Sequence, residues 1–144
     1  MSATNINSNQ AAEPLGPYPH ARRIGNLLFL SGIGPRTRGS RDIPGAKLNS
    51  KGELESYSLE AELRSCLANI RTILEDSGSA WDRIVDVQVF LTDMKRDWPE
   101  YNRIYAEYFP PGPNQPTRTT VEVSALPTGG NSPIHVEVKI IATV

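Results

Sequence analysis

Between Ser58 and Ser77 the apolar residues Leu59, Leu63, Leu67, Ile70 and Leu74 recur at three or four positions, which predicts one helix with a single apolar stripe. Ser58 reads as its N-cap, Glu60 and Glu62 suit its positive end, and Gly78 stops it. Alternating runs supply a sheet for that stripe to lie on. Val85, Val87, Val89 and Leu91 give one strand, and Ile134, Val136, Val138 and Ile140 give the last one, over Ile134 to Ala142. Cys66, beside Leu67, is expected in the core as a small apolar residue. A second helix is predicted to start at Asp97-Trp98-Pro99-Glu100 and to break at Pro110-Pro111-Gly112-Pro113. Its Trp98, Tyr101, Tyr105, Tyr108 and Phe109 form an aromatic stripe read as core.

The remaining elements are shorter. Arg22 to Gly32 reads as a hairpin turning at Gly25-Asn26, with Leu27 to Leu30 a buried strand. Thr37 to Gly52 reads as a surface loop or loose hairpin. Residues 1–13 are polar and are expected to be a flexible tail, leaving 14–144 as one domain. Pro116 to Pro127 is a bounded strand in which Thr119, Val121 and Val123 are expected to face the core, and Arg118, Thr120 and Glu122 the chemistry. Arg118, fixed at the strand start, offers a planar fork of donors that suits a carboxylate. Glu137 reads as a solvated face residue, as a partner of Lys139, or as an acid/base if its strand pairs beside Arg118. His135 reads as a neighbour of Glu137 or as a sheet-surface residue.

Charge narrows the function classes. Fifteen Lys plus Arg against sixteen Asp plus Glu leave a net charge of -1 over 144 residues, no footprint for a phosphate backbone. One cysteine and two distant histidines, His20 and His135, give neither a disulfide nor a zinc spacing. No apolar run approaches membrane length. The expectation is a cytoplasmic protein with no nucleic-acid or membrane partner and no metal.

Gly16-Pro17-Tyr18, the Ser31-Gly32 strand end, Tyr101-Asn102 with Tyr105 and Phe109, Pro116-x-Arg118-x-x-Val121-Glu122-Val123-x-x-Leu126-Pro127, and Val136-Glu137-Val138 with Ile141-Ala142 follow in order. Together they resemble the RidA/YjgF family of reactive-intermediate (imine) deaminases, from about Gly16 to Val144. The resemblance implies a chorismate-mutase-like α/β subunit of β-β-α-β-α-β-β order, a mixed sheet with two helices on one face. It also implies a homotrimer with a pocket at each subunit interface. By the same resemblance Arg118 clamps a substrate carboxylate, Glu137 orients the attacking water, Tyr18 is a pocket wall, Asn102 a polar pocket residue and Gly32 a backbone contact. Thr120 stands where many relatives carry cysteine, and there the backbone carbonyl is the part implicated. No metal or organic cofactor is implied.

The chain departs from the family at Ser31-Gly32-Ile33-Gly34-Pro35-Arg36, where relatives continue Ser-Gly-Gln-hydrophobic-Pro. That stretch and Tyr18-Pro19-His20-Ala21-Arg22-Arg23 resemble the branch of 2-aminomuconate deaminases. His20, Arg23 and Arg36 are then expected near the pocket mouth, where they suit a second anionic group on the substrate. The expected reaction is hydrolysis of 2-aminomuconate to its 2-oxo product (4-oxalocrotonate) and ammonia, in aromatic catabolism. Two alternatives are a general deaminase of 2-aminoacrylate-type imino acids and a non-catalytic trimer that binds small carboxylates.

Overall fold

In the computed structural model, which describes residues 2–144, the order is β1 (Ala3–Ile6), β2 (Ala21–Ile24), β3 (Leu27–Leu30), β4 (Lys47–Leu48), β5 (Leu54–Ser56), α1 (Leu59–Asp76), β6 (Ile84–Leu91), α2 (Met94–Tyr108), β7 (Thr117–Glu122) and β8 (Val136–Thr143). Six strands form one mixed sheet in the order β1-β2-β3-β8-β6-β7, and β4 and β5 form a separate hairpin. Among the described residues only the β6–β7 pair is parallel, and α2 is its crossover. Leu28, Leu30, Val87, Val89, Leu91, Val136, Val138 and Ile140 pack with the apolar stripe of α1 in a single core. The expected β-β-α-β-α-β-β order is present as β2 to β8, with β1 and the β4–β5 hairpin added.

Helix α1 begins and ends where its sequence signals put it. Ser58 Oγ accepts a hydrogen bond from Ala61 N at 3.0 Å, and Gly78 adopts φ +78° just beyond the last turn. Cys66 is fully buried, as expected of a core residue. Helix α2 corrects the expected start at Asp97. It begins a turn earlier, capped by Asp93, whose Oδ1 accepts from Arg96 N at 3.1 Å, while Glu122 of β7 accepts from Met94 N at 2.8 Å. Two aspartates four residues apart offer competing caps, and the long-range bond from Glu122 decides between them. Asp97 is instead buried, accepting from Tyr57 Oη at 2.8 Å.

The described residues 2–13 also differ from expectation. β1 pairs antiparallel with β2, Ala3 opposite Ile24 and Ile6 opposite Ala21, so a free tail over 1–13 is ruled out for the described residues 2–13. Ser8 Oγ donates to Asp76 Oδ2 at 2.6 Å near the end of α1, and Ala11 is buried in the core. Polar composition concealed this because the segment is held by backbone pairing and by hydrogen bonds, not by an apolar stripe.

Glu62 supplies a buried tie between the layers. It is fully buried, and its carboxylate accepts from His135 N and from the His135 ring at Nδ1, both at 2.7 Å. The His135 ring lies flat on Tyr57, with centroids 3.4 Å apart. His135 therefore sits neither beside Glu137 nor on the open sheet face. Replacing Glu62 by Ala strands both donors of His135 in the core and is expected to cost about 3 kcal/mol. Urea unfolding reads this as a lower midpoint at unchanged slope.

Candidate active site

β7 is an edge strand, and its register with β6 sets the direction of every side chain on it. Arg118 lies opposite Val87 and Thr120 opposite Val89, so both project toward the helix layer. The expected core face of this strand is corrected accordingly: Val121 is exposed, whereas Thr120 is half-buried under α2. A hydrogen bond of 2.7 Å joins Thr120 Oγ1 to Tyr101 Oη. The Arg118 guanidinium lies 4.7 Å from the Tyr105 ring centroid, 5.1 Å from Tyr101 and 5.6 Å from Trp98. Its Nη1 donates to Asn102 Oδ1 at 2.9 Å. Asn102 is steadied in turn by its Nδ2 donating to Trp98 O at 3.0 Å. The aromatic stripe of α2 is thus only partly core. Tyr101 is buried, but Trp98 is exposed and forms a wall beside the arginine. The arrangement fixes an exposed cationic fork at the sheet edge, a group that suits a carboxylate.

Glu137 lies elsewhere. Along β8, Val136, Val138, Ile140 and Ala142 are buried beneath the helices, so Glu137 and Lys139 project from the opposite face. β6 separates β8 from β7, and Glu137 lies opposite Phe90. Within one chain, then, the strands of Arg118 and Glu137 do not pair, and the two side chains leave opposite faces of the sheet. This corrects the reading in which direct pairing brings them together.

The Glu137 carboxyl abuts Gly32. A Cβ built at Gly32 collides with Glu137 Oε2, so only glycine leaves the carboxyl its present position. Burial raises the pKa of Glu137 above the usual carboxylate range, and the charge of Lys139 opposes that shift. The adjoining cavity has a volume of about 60 Å³ and is lined by Tyr18, Gly32, Arg36 and Glu137 together with the segment from Ala11 to Leu15. That is space for water rather than for a carbon skeleton.

The three basic residues expected at the pocket mouth separate. Arg36 lines the cavity, and its Nη2 donates to Glu13 O at 2.5 Å. His20 reaches the cavity wall but is buried with both ring nitrogens engaged, Nδ1 accepting from Ser8 N at 2.9 Å and Nε2 donating to Ala12 O at 2.7 Å. It is a strut for the N-terminal segment and has no group free for a ligand. Arg23 lies on β2, bonded to Gly25 O at 2.9 Å, away from the Glu137 cavity. Tyr18 is exposed at the cavity edge, its hydroxyl accepting from Leu15 N at 3.2 Å. Reading by sequence missed Asn69, which donates to Gly34 O at 3.2 Å and Arg36 O at 2.7 Å and so fixes the loop carrying Arg36. Its only signal was a polar residue bordering the stripe of α1.

A family model described as Endoribonuclease L-PSP matches residues 8–144. The chain belongs to this family, which includes the YjgF, RidA and RutC proteins. A RutC family protein from Pyrococcus horikoshii is 35% identical over 140 residues, spanning 95% of this chain and 94% of the relative. The Arabidopsis thaliana protein named Reactive Intermediate Deaminase A, chloroplastic, is 34% identical over 139 residues, 96% of this chain and 65% of that protein. The crystal structure of Escherichia coli TdcF with bound serine superposes with a TM-score of 0.79 at 25% identity, covering 98% of each chain. Members of the family share the chorismate-mutase-like fold described above.

Gly32→Ala is expected to fold, since the added methyl meets only the far end of the flexible Glu137 side chain, but to swing the Glu137 carboxyl away from the cavity. A crystal structure of the variant checks this, and an unmoved carboxyl contradicts the close-packing argument.

Proposed function

We propose that the chain is a cofactor-independent hydrolytic deaminase of imine and enamine carboxylates. The observation that carries this reading is Glu137, a partly buried carboxylate beside a cavity of water size. Its burial favours proton uptake, which suits a general base that must also return the proton. The deaminase name of the Arabidopsis relative and the serine in the TdcF structure, a small amino acid bearing a carboxylate, support the same chemistry.

An enamine first tautomerises to its imine. Arg118 holds the carboxylate next to the C=N carbon, with the aromatic wall of Trp98 and Tyr105 around it. Water forms a bond to that carbon while Glu137 takes one of its protons, and the C=N electron pair moves to nitrogen, which takes a proton from solvent. The resulting tetrahedral carbinolamine then collapses. Glu137 returns its proton to nitrogen, the hydroxyl gives its proton to solvent as its electron pair closes the C=O bond, the C–N bond breaks, and the products are a 2-oxo acid and ammonia.

For these groups to act on one molecule, Arg118 of one subunit must meet Glu137 of another, because within a chain they leave opposite faces. We therefore read the working unit as the homotrimer implied by the family, with Tyr18, Gly32 and Glu137 on one side of each pocket and Arg118, Asn102 and Thr120 on the other. The exposed Ile24, Leu27 and Phe29 on the open sheet face provide apolar surface for such contacts.

The specific substrate we propose is 2-aminomuconate, an unsaturated dicarboxylate. Its second carboxylate falls to Arg36 alone, since Arg23 is remote and His20 is fully engaged. The charge balance of the chain weighs against RNA as the substrate.

Ammonia release from 2-aminomuconate and from 2-aminoacrylate, followed side by side, tests the reading. Glu137→Gln is expected to lower kcat/KM about 100-fold or more on either substrate, the scale of a lost general base. Arg118→Ala is expected to raise KM steeply on both substrates. Arg36→Ala is expected to weaken only the dicarboxylate, by about tenfold, the scale of one charge-assisted bond. Equal loss on both substrates contradicts the second-anion role of Arg36, and no turnover of either contradicts the deaminase.

The pH profile offers a separate check. Glu137 must be ionised to accept a proton, so kcat/KM falls as pH drops through its pKa. Burial raises that pKa, so the acid limb is expected above the ordinary glutamate value. A limb at or below the ordinary value contradicts the assignment of the base.

A further inference from the structure

On the open face of β8 the residue after Glu137 is Lys139, about 7 Å further along the strand. Its position is fixed. Nζ donates to Leu30 O at 2.5 Å, at the end of β3. Beyond that point Ile33 and Val138 exchange backbone hydrogen bonds of 2.8 and 3.0 Å. This register sets Gly32 opposite Lys139. Because the Glu137 carboxyl occupies the space that a Cβ of Gly32 would need, it leans along the strand toward the lysine.

Other ionisable groups surround Glu137. Glu13, Tyr18, His20 and Arg36 border the same cavity, and Cys66 lies beneath the sheet. The neighbouring strand β6 presents Asp86, Gln88 and Phe90 on the face of Glu137. Arg36 is turned to the Glu13 carbonyl and His20 is bonded on both ring nitrogens. The charge that opposes the effect of burial on Glu137 is that of Lys139.

We propose that Lys139 is a positioning residue for the reaction, an ammonium fixed on the Leu30 carbonyl whose charge acts on the Glu137 carboxylate where it lies against Gly32. This rests on the reading of Glu137 as the general base. The role is electrostatic: without the lysine charge, burial acts alone, and Glu137 binds its proton more tightly. A smaller fraction of the protein then carries the base at any pH on the acid side of the profile.

Lys139→Met keeps most of the side-chain volume and removes the charge, and Lys139→Arg keeps the charge. The acid limb of kcat/KM is expected to move up by about half a unit in Lys139→Met, and to stay near wild type in Lys139→Arg. Below the limb this is about a threefold loss of kcat/KM, and above it the variant matches wild type. Carbon-13 NMR titration of the Glu137 carboxyl, assigned by its disappearance in Glu137→Gln, is expected to show the same upward shift. Lys139→Gln replaces Lys139→Met if the methionine variant does not fold. An unmoved carboxyl titration overturns the role of Lys139. The NMR readout needs no turnover, so a shifted titration in a protein inactive on both substrates supports the lysine role while counting against the deaminase reading.

Discussion

In the antiparallel ladder between β6 and β8, Val87 faces Ile140, Val89 faces Val138 and Leu91 faces Val136. All six side chains are buried beneath the helices, and each contributes about 1.5–3 kcal/mol through the apolar surface it removes from water. The period of a strand is two, so this same ladder forces Glu137 and Lys139 onto the opposite face. A slip of one residue would expose the valines and bury both charges. The register that stabilises the core is therefore also what delivers Glu137 to Gly32. The fold and the carboxylate are not separate designs.

Local sequence made much of this legible. The stripe of α1, its Ser58 cap, the Gly25-Asn26 turn and the alternation of β8 are all short-range patterns, and each appears in the structure. What failed to show depends on partners distant in the chain. The start of α2 is chosen by Glu122, and residues 2–13 are ordered by β2, His20, Arg38 and Asp76. Leu27 to Leu30 reads as one apolar run, yet only Leu28 and Leu30 are buried, because the other face of that strand is open. Glu62 looked like a residue answering the helix dipole, but it is the buried acceptor that fastens the start of β8.

The candidate site was legible as a list of residues more than as an arrangement. Tyr18, Gly32, Arg36 and Glu137 gather about one cavity, while Arg118, Asn102 and Thr120 gather at the β7 edge. Strand order decides that division, and strand order is a long-range property that motif spacing does not carry. Arg23 and His20 show the same limit in reverse. Near Tyr18 in sequence, they are separated from a shared ligand by a strand direction and by two hydrogen bonds. The opposite facing of Arg118 and Glu137 gives the proposed oligomer a physical purpose, since a second chain is what joins the two halves.

The most direct measurement is subunit complementation. Arg118→Ala and Glu137→Gln proteins, each strongly impaired alone at low concentrations of an imine carboxylate, are unfolded together in equal amounts, refolded and assayed. If each pocket takes Arg118 from one subunit and Glu137 from its neighbour, random mixing restores about a quarter of the pockets. Activity near that fraction of wild type is the result this account predicts. Recovery of none, from mixed oligomers shown to have formed, means that both residues act from the same chain and contradicts the shared site.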